Sequence, residues 1–341
     1  MLDSIRVGRS TTGTRIGTAV LMLASAGFAL VPFVAPAGEV SQLVNLFVYL
    51  VLAVMWNLLA GFGGMISIGQ QAYLGLGAYG LVLLADHAGV DPFLAVPLAA
   101  LAAGALAVPI SFLAFRLVGA YFAIGTWVIA EVVRLLTVQS STLGGGSGVT
   151  LHALADLDRV LRIAYTYWFA LATAVLAVLA GYLLNRSKFG LGLTAVRDDA
   201  TAAASNGVPV RAARRLVFVV AAAGCGAAGG VVALSSLQVQ PDSVYGVQWS
   251  AFMIFMVVVG GVGTMEGPIL GAVLFYALQR WLAVYNTVYL MVLGAVAIAI
   301  VLFAPRGLWG LLGGGRWRAF PLGYRVQLPR KTAPPTTEPT R

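Results

Sequence analysis

The chain has 341 residues, of which 60% are hydrophobic and only 10% are charged, whereas about 25% of residues are charged in an ordinary soluble domain. This composition excludes a soluble globular protein, and the single cysteine, Cys225, excludes a disulfide framework within the chain. The formal charge of +9 does not indicate nucleic-acid binding, because the basic residues gather between apolar segments.

Apolar segments of about twenty residues, the length that an α-helix needs to cross a bilayer, recur along the chain. They predict an all-α integral membrane protein with about ten transmembrane or re-entrant helices. Residues 1–37 also resemble a signal peptide, but their apolar run exceeds the usual core of about 7 to 15 residues, so we predict a retained first helix. The predicted segments are residues 16–36, 42–62, 68–86, 92–115, 118–137, 164–184, 216–237, 247–263, 267–284 and 287–304.

The positions of lysine and arginine predict the orientation of these helices. With a cytoplasmic amino terminus, seventeen of the 21 Lys and Arg residues fall on the cytoplasmic side, as the positive-inside rule requires. We therefore predict that both termini are cytoplasmic. The predicted parts are an arm (1–15), a transmembrane domain (16–304) with a cytoplasmic loop (185–215), and a tail (305–341) that is disordered from about residue 329.

Clusters of glycine interrupt two of the apolar regions. One is GFGGMISIGQQAYLGLGAYG, residues 61–80, and the other is VVVGGVGTMEGPILGAVLF, residues 257–275. In the second, Gly263, Gly267 and Gly271 are four residues apart, which predicts that they share one helical face. Glycine permits breaks and close helix packing, and broken backbone is tolerated at membrane depth where it is buried or lines a wet cavity. The clusters indicate either discontinuous helices around a transport pathway or tight packing without a pathway.

Two charged residues lie within one predicted transmembrane segment. Glu131 and Arg134 are three residues apart on a helix, so their side chains are neighbours and can pair. The alternatives are a structural ion pair and a gate or proton site. Together with the glycine clusters, they give the candidate pathway or gating residues Ser67, Gly69, Gln70, Tyr73, Gly75, Gly77, Glu131, Arg134, Gly261, Gly263, Thr264, Gly267 and Pro268.

The sequence lacks the motifs of an enzyme or of a nucleotide site. A phosphate-binding P-loop needs Gly-Lys followed by Ser or Thr, but the only lysines, Lys188 and Lys331, follow Ser187 and Arg330. Two carboxylates and a histidine in ADHAGVD, residues 85–91, predict a solvated turn rather than a metal site. We therefore expect no catalytic residues and no metal or cofactor bound by this chain.

The longest predicted cytoplasmic connection is NRSKFGLGLTAVRDDATAAASNGVPVRAARR, residues 185–215. Asp198 or Asp199 can cap a short alanine-rich helix that continues through Ser205. Gly207 can then end that helix in the left-handed conformation. This pattern agrees with two interpretations. The segment is either a connector that binds nothing or an exposed helix that docks a cytoplasmic partner.

Seven stretches, in order along most of the chain, resemble one family. They resemble the permease subunits of ABC importers for branched-chain amino acids, and specifically the longer of the two homologous permeases. The stretches are NLLAGFGGMISIGQQAYLGLGAYG (57–80), GAYFAIGTWVIAEVVRLL (119–136), TLGGGSGV (142–149), GLGLTAVRDDATAAASNGVPV (190–210), QPDSVYG (240–246), GGVGTMEGPILGA (260–272) and LFAPRGLWG (302–310).

The resemblance implies a helical permease, embedded in the lipid bilayer of a bacterial plasma membrane, with no nucleic-acid partner. Its implied partners are a second, shorter permease, two cytoplasmic subunits that use ATP and Mg²⁺, and an extracytoplasmic solute-binding protein. Residues 197–207 then resemble the coupling helix that docks into an ATPase. The residues assigned to coupling by this resemblance are Arg197, Asp198, Asp199, Ala202, Ala203 and Gly207.

The sequence departs from the family pattern at three positions. Ala200, Asn206 and Gln70 stand where glutamate, leucine and histidine are common. Import of urea or short amides is an alternative within the same architecture. A proton-coupled secondary transporter that uses Glu131 is an alternative from another class, whereas a membrane-embedded enzyme has no candidate catalytic set.

Overall fold

The structure is a computed structural model that describes residues 6–8, 12–155, 157–282, 287–312 and 325–327. The predicted disorder from about residue 329 lies outside these residues. The helices are α1 (Thr12–Val34), α2 (Ala37–Asn57), α3 (Gln71–Val82), α4 (Pro92–Ala114), α5 (Ala120–Gln139), α6 (Arg159–Arg186), α7 (Lys188–Asp198), α8 (Ala200–Ser205), α9 (Val210–Ser236), α10 (Pro241–Val244), α11 (Gln248–Gly260), α12 (Gly267–Leu282), α13 (Thr287–Phe303) and α14 (Gly307–Leu311).

Shorter elements extend or connect these helices. π-Helical turns, Leu58–Phe62 and Leu83–His87, continue α2 and α3, and 3₁₀ turns lie at Ser141–Leu143 and Gly145–Ser147. Two short antiparallel strand pairs are present: β1 (Arg6–Gly8) pairs with β4 (Arg325–Gln327), and β2 (Val149–Thr150) pairs with β3 (Gln238–Val239). The predicted all-α class is confirmed, because strands contribute only these short pairs.

Each of the ten predicted segments contains a helix, but they are not ten full spans. Among the described residues, seven helical segments are long and apolar enough to cross a membrane: Ala37–Phe62, Pro92–Ala114, Ala120–Gln139, Arg159–Arg186, Val210–Ser236, Pro241–Gly260 and Leu290–Leu311. The apolar part of α1, Met22–Val34, is shorter. Helices α3 and α12 have 12 and 16 residues, because the glycine breaks cut them short.

Helix α2 lies at the centre of the bundle. From Phe47 to Met55 its sequence is an uninterrupted apolar run, which is the pattern of a helix surrounded by protein. Leu52, Met55 and Leu59 are fully buried, and α2 packs against α6, α9, α11 and α12. Because α2 and its π-helical turn lead directly into the first glycine cluster, that cluster lies inside the bundle.

Helix α3 packs between α4 and α9. A Cβ atom at Gly77 would overlap the carbonyl oxygen of Gly226 on α9, so glycine is required for this close approach. Tyr73 packs its ring edge-on against Phe218, with 5.7 Å between the ring centroids. Small residues at helix contacts are the usual means of bringing membrane helices together.

The local structure of the loop at residues 185–215 agrees with the prediction from its sequence. Ser187 caps α7, and the Asp199 carboxylate accepts hydrogen bonds from Thr201 N at 2.8 Å and Ala202 N at 3.0 Å, which starts α8. Gly207 has φ +80° and follows the end of that helix. The two acidic candidates for the cap are thereby separated: Asp199 is the cap, and Asp198 is the last residue of α7.

Candidate functional site

The first glycine break comprises the π-helical turn Leu58–Phe62, which directly follows Asn57, and the irregular segment 63–70 that leads into α3. Side chains satisfy its backbone groups: Trp56 Nε1 donates to Ser67 O at 2.9 Å, and Thr126 Oγ1 accepts from Ile68 N at 3.2 Å. Ser67 Oγ also accepts from Gly69 N at 3.2 Å. These bonds agree with the expectation that buried non-helical backbone must find partners inside the protein.

The other candidates near the first break are buried. Gln70 Nε2 lies 3.5 Å from Ser67 Oγ, and Gln70 Oε1 has no hydrogen-bond partner among the described residues. Ser67, Gly69, Tyr73 and Thr126 line a cavity of about 10 Å³, which is room for at most about one water molecule. On α3, a Cβ atom at Gly75 would overlap the Tyr245 ring, so Gly75, like Gly77, supports packing.

The second break, residues 261–266, separates α11 from α12. Thr264 Oγ1 donates to Gly261 O at 2.8 Å and accepts from Gly267 N at 3.0 Å, so one side chain bridges the break. Pro268 lies in the first turn of α12, where a missing N–H costs no intrahelical bond. The prediction that Gly263 shares a helical face with Gly267 and Gly271 is wrong. Gly263 has φ +74° and precedes the helix, because the chain turns there.

A single buried side chain, Asn57, joins the two breaks. Its Oδ1 accepts from Gly263 N at 2.9 Å, and its Nδ2 donates to Thr264 O at 2.8 Å. Asn57 is only 2% exposed and is the last residue of α2. A Cβ atom at Gly61 would lie 2.6 Å from Gly263 N, so the two glycine segments are in direct contact.

Arg197 connects the loop at residues 185–215 to this contact. From the end of α7, its Nη1 donates to Gly61 O at 2.9 Å, while its Nε and Nη2 each lie 2.9 Å from Asp198 Oδ1. A Cβ atom at Gly263 would also lie 3.2 Å from Arg197 Nη1. We call Asn57, Gly61, Arg197, Gly263 and Thr264 the glycine junction. It brings together both breaks and the first residue of the predicted coupling segment.

The remaining candidate coupling residues divide between the surface and the interior. Asp198, Asp199, Ala202 and Gly207 are exposed, whereas Ala203 is buried. Helix α8 contacts α7 and α9. The exposed face of α8 is therefore available to a partner, and Ala203 attaches the helix to the bundle.

Glu131 and Arg134 form the predicted ion pair and gain a third member. Arg134 Nε lies 2.9 Å and 3.1 Å from the two Glu131 carboxylate oxygens, and Arg134 Nη1 lies 2.7 Å from Asp242 Oδ1 on α10. We call Glu131, Arg134 and Asp242 the ion-pair cluster. Next to it, the hydroxyl oxygens of Thr137 and Tyr245 are hydrogen-bonded at 3.0 Å. Side-chain contacts therefore connect the second half of α5 to the segment that precedes α11.

Sequence reasoning missed Asn57 and Asp242. The available signal for Asn57 was an amide at the end of an otherwise apolar run, immediately before the glycines. The segment QPDSVYG contributed to the resemblance, but nothing in its sequence indicated that Asp242 contacts a helix 108 positions away. Another contact between distant positions, this one buried, joins Gln71 Oε1 and Ser250 Oγ and links α3 to α11.

Comparison with known proteins identifies the family. The sequence matches the family described as "Branched-chain amino acid transport system / permease component" over residues 38–301. It is 28% identical over 303 residues to the "High-affinity branched-chain amino acid transport system permease protein LivM" of Escherichia coli strain K12, covering 81% of this chain and 71% of that protein.

More distant relatives match shorter parts of the chain. A "Probable branched-chain amino acid transport permease protein LivM" of Methanocaldococcus jannaschii is 26% identical over 204 residues, or 55% of this chain and 59% of the relative. The "L-arabinose ABC transporter permease protein AraH" of Azospirillum brasilense is 27% identical over 187 residues, or 52% of this chain and 54% of the relative. No solved structure is significantly similar.

The matched region contains both glycine breaks, the glycine junction, the ion-pair cluster and α7 to α12. The relatives are transport permeases rather than enzymes, in agreement with the apolar helices of this bundle. The chain is therefore a multi-pass membrane permease and belongs to the family of permease components of branched-chain amino acid transport systems.

Proposed function

We propose that this chain is one permease subunit of an ATP-driven importer for branched-chain or other apolar amino acids. A second homologous permease completes the translocation unit, two cytoplasmic subunits bind ATP and Mg²⁺, and an extracytoplasmic binding protein delivers the solute. Relatives named for branched-chain amino acid transport in a bacterium and an archaeon support the solute class. The relative named for L-arabinose matches only about half of the chain.

The observation that carries the mechanism is the hydrogen bond from Arg197 Nη1 to Gly61 O, 2.9 Å long. With both termini in the cytoplasm, α7 and α8 lie where an ATP-binding subunit can push on them. Movement of α7 then displaces Gly61 directly. It also displaces Gly263, because Asn57 and the contact of the two glycine segments tie both breaks together.

The pathway follows from the same arrangement. In this conformation the cavity at Ser67, Gly69 and Thr126 has room for at most about one water molecule, so an amino acid cannot pass there. Opening requires α5 to separate from the first break, which the bond between Thr126 Oγ1 and Ile68 N opposes. We infer that residues near the break form a gate, which is supported by the small size of this cavity.

The proton-coupled alternative receives no support from the geometry of Glu131. Both of its carboxylate oxygens accept hydrogen bonds from Arg134, which also pairs with Asp242. A proton carrier needs a carboxylate that is free to exchange its proton, whereas both oxygens of Glu131 are held by the guanidinium group of Arg134. The cluster is better explained as a structural ion pair between α5 and α10.

Reconstitution of the complex tests this proposal. The chain, co-expressed with a second permease and ATP-binding subunits from its genomic neighbourhood, is inserted into liposomes with the binding protein outside. We expect uptake of labelled leucine that requires internal ATP and persists when a protonophore collapses the proton gradient. Urea, acetamide and L-arabinose serve as competing solutes. Uptake that depends on the proton gradient and not on ATP would reject the proposal, and preferred uptake of a competing solute would correct the solute class.

A further inference from the structure

Two arginines at the end of the bundle opposite the glycine junction have no carboxylate partner among the described residues. Arg134 pairs with Asp242 at 2.7 Å, and Arg280 pairs with Glu39 at 2.7 Å. Arg159 and Arg162 form no ion pair within the part of the chain that the structure describes. The four arginines on the predicted extracytoplasmic side are Arg134, Arg159, Arg162 and Arg280.

The two unpaired arginines line the same pocket. Arg159 and Arg162 are one helical turn apart at the start of α6, and with Ser41 of α2 and Ser235 of α9 they surround a pocket of about 140 Å³. Backbone N–H groups at the start of a helix carry partial positive charge, so two guanidinium groups there repel the helix dipole as well as each other. Asp158 forms no ion pair with either of them; its carboxylate caps α6 by accepting from Val160 N and Leu161 N.

A third polar group in the pocket also lacks a partner. Thr166 lines the pocket and is 3% exposed, yet its Oγ1 makes no hydrogen bond to any described residue. Thr137 and Thr173, by contrast, donate to the carbonyl oxygen four residues earlier on their own helices, at 3.0 Å and 2.8 Å. A buried hydroxyl group without a partner is costly. An oxygen-rich ligand would satisfy Thr166 and the two guanidinium groups together.

We propose that this pocket binds a phosphate group. Its guanidinium and hydroxyl groups donate hydrogen bonds, and arginine pairs are well suited to the several oxygens of a phosphate. A zwitterionic amino acid is disfavoured, because the lining contains no carboxylate to receive its ammonium group. The phosphate belongs either to free inorganic phosphate or to the headgroup of an anionic phospholipid. The inference does not rest on the proposed transport function.

Thermal unfolding of the full purified chain in detergent tests this inference. Inorganic phosphate and short-chain phosphatidylglycerol are titrated separately, with sodium chloride at equal ionic strength as the control for screening. We expect saturable increases in the Tm of the wild-type chain. A response to both ligands identifies free phosphate as sufficient, and a response to the lipid alone identifies a headgroup site. No saturable response to either ligand would overturn the inference.

Substitutions locate the site. R159Q/R162Q should weaken ligand binding by at least about tenfold, whereas R116Q, which removes an exposed arginine near the other end of the bundle, should leave the Kd unchanged.

T166V should weaken binding by about threefold to tenfold without lowering the Tm of the ligand-free chain, because it removes a hydroxyl group that has no partner among the described residues. Equal binding by wild type, T166V and R159Q/R162Q would overturn the inference. T166V also keeps the test valid if the double variant fails to fold.

Discussion

The glycine junction and the ion-pair cluster both join distant parts of the chain, but they use different bonds. In the glycine junction, Asn57 and Arg197 bond to backbone groups of Gly61, Gly263 and Thr264. In the ion-pair cluster, Arg134 bonds to two carboxylate side chains, one of which, on Asp242, is 84% exposed. Hydrogen bonds from side chains to buried backbone groups fix the course of the chain, whereas exposed ion pairs hold two surfaces together weakly.

This difference bears on which of the two regions is suited to pass a movement from one helix to another. A buried backbone group that loses its partner costs more than a solvated charge that loses its counterion. We therefore expect that displacement of Arg197 moves Gly61, as the proposed coupling requires. The ion-pair cluster can break and form again at small cost, so it constrains the backbone less than the glycine junction does. The predictions below test this contrast from the largest expected effect to the smallest.

Reversal of the charge at Arg197 should have the largest effect. Arg197→Glu removes the donor to Gly61 O and places a carboxylate beside both that carbonyl and Asp198. We expect a more than about tenfold loss of ATP-driven uptake by the reconstituted complex, while membrane insertion and ATP hydrolysis persist.

The matched control is Arg211→Glu, which reverses an exposed charge in the first turn of α9. It should retain most of the uptake. If Arg197→Glu transports at the rate of the control, the bond to Gly61 does not couple the loop to the break.

Asp199→Ala, which removes the cap of α8, should also reduce uptake and tests the loop independently of Gly61.

Asn57→Leu should be the most destabilising substitution in the junction. It leaves Gly263 N and Thr264 O buried without their partner, at a cost of about 1 to 3 kcal/mol in the free energy of unfolding. The control is Asn185→Leu, because Asn185 Nδ2 donates to Gly181 O on its own helix at 2.9 Å, its contact with the second break is limited to Met265 Sδ at 3.7 Å, and its Oδ1 has no partner among the described residues. Thermal unfolding in detergent compares the two variants. A larger loss for Asn185→Leu would contradict the assignment of Asn57 as the link between the breaks.

The sequence predicted the helices well because their signals are local. A continuous apolar run, a carboxylate at position 199 and a glycine at position 207 each determine nearby backbone, and the structure agrees with all three. The spacing of Gly263, Gly267 and Gly271 was misread, because glycine spacing alone cannot distinguish a helical face from a turn that precedes a helix. Thr264, which bridges that turn, is the local cause of the difference.

Contacts between distant segments were much less predictable. Asn57 and Thr264 are 207 positions apart, and Arg197 and Gly61 are 136 positions apart. No periodicity within one segment reveals such pairs, because they depend on how the helices pack. The pair Glu131 and Arg134 was predictable for the opposite reason, since three residues separate them on one helix.

A smaller effect is expected at the contact between α5 and the first break. Thr126→Val removes the acceptor for Ile68 N and should lower the free energy of unfolding by about 1 kcal/mol. Thr173→Val is the control, because its hydroxyl group bonds only to a carbonyl of its own helix. In the reconstituted complex, Thr126→Val should also increase uptake in the absence of ATP if this bond holds the gate closed. Equal unfolding curves and equal leak in the two variants would refute this role of Thr126.

The smallest effect should follow from Asp242→Asn, which removes the exposed member of the ion-pair cluster but leaves Arg134 paired with Glu131. We expect a loss of less than about 1 kcal/mol in the free energy of unfolding. That loss should shrink between about 0.05 and 0.5 M salt, because screening weakens exposed pairs. The loss caused by Asn57→Leu should be independent of salt over the same range, because its bonds are buried and uncharged. The distinction between the two regions would be contradicted in either of two cases. One is a loss of stability in Asn57→Leu that changes with salt, and the other is a loss of stability in Asp242→Asn that does not.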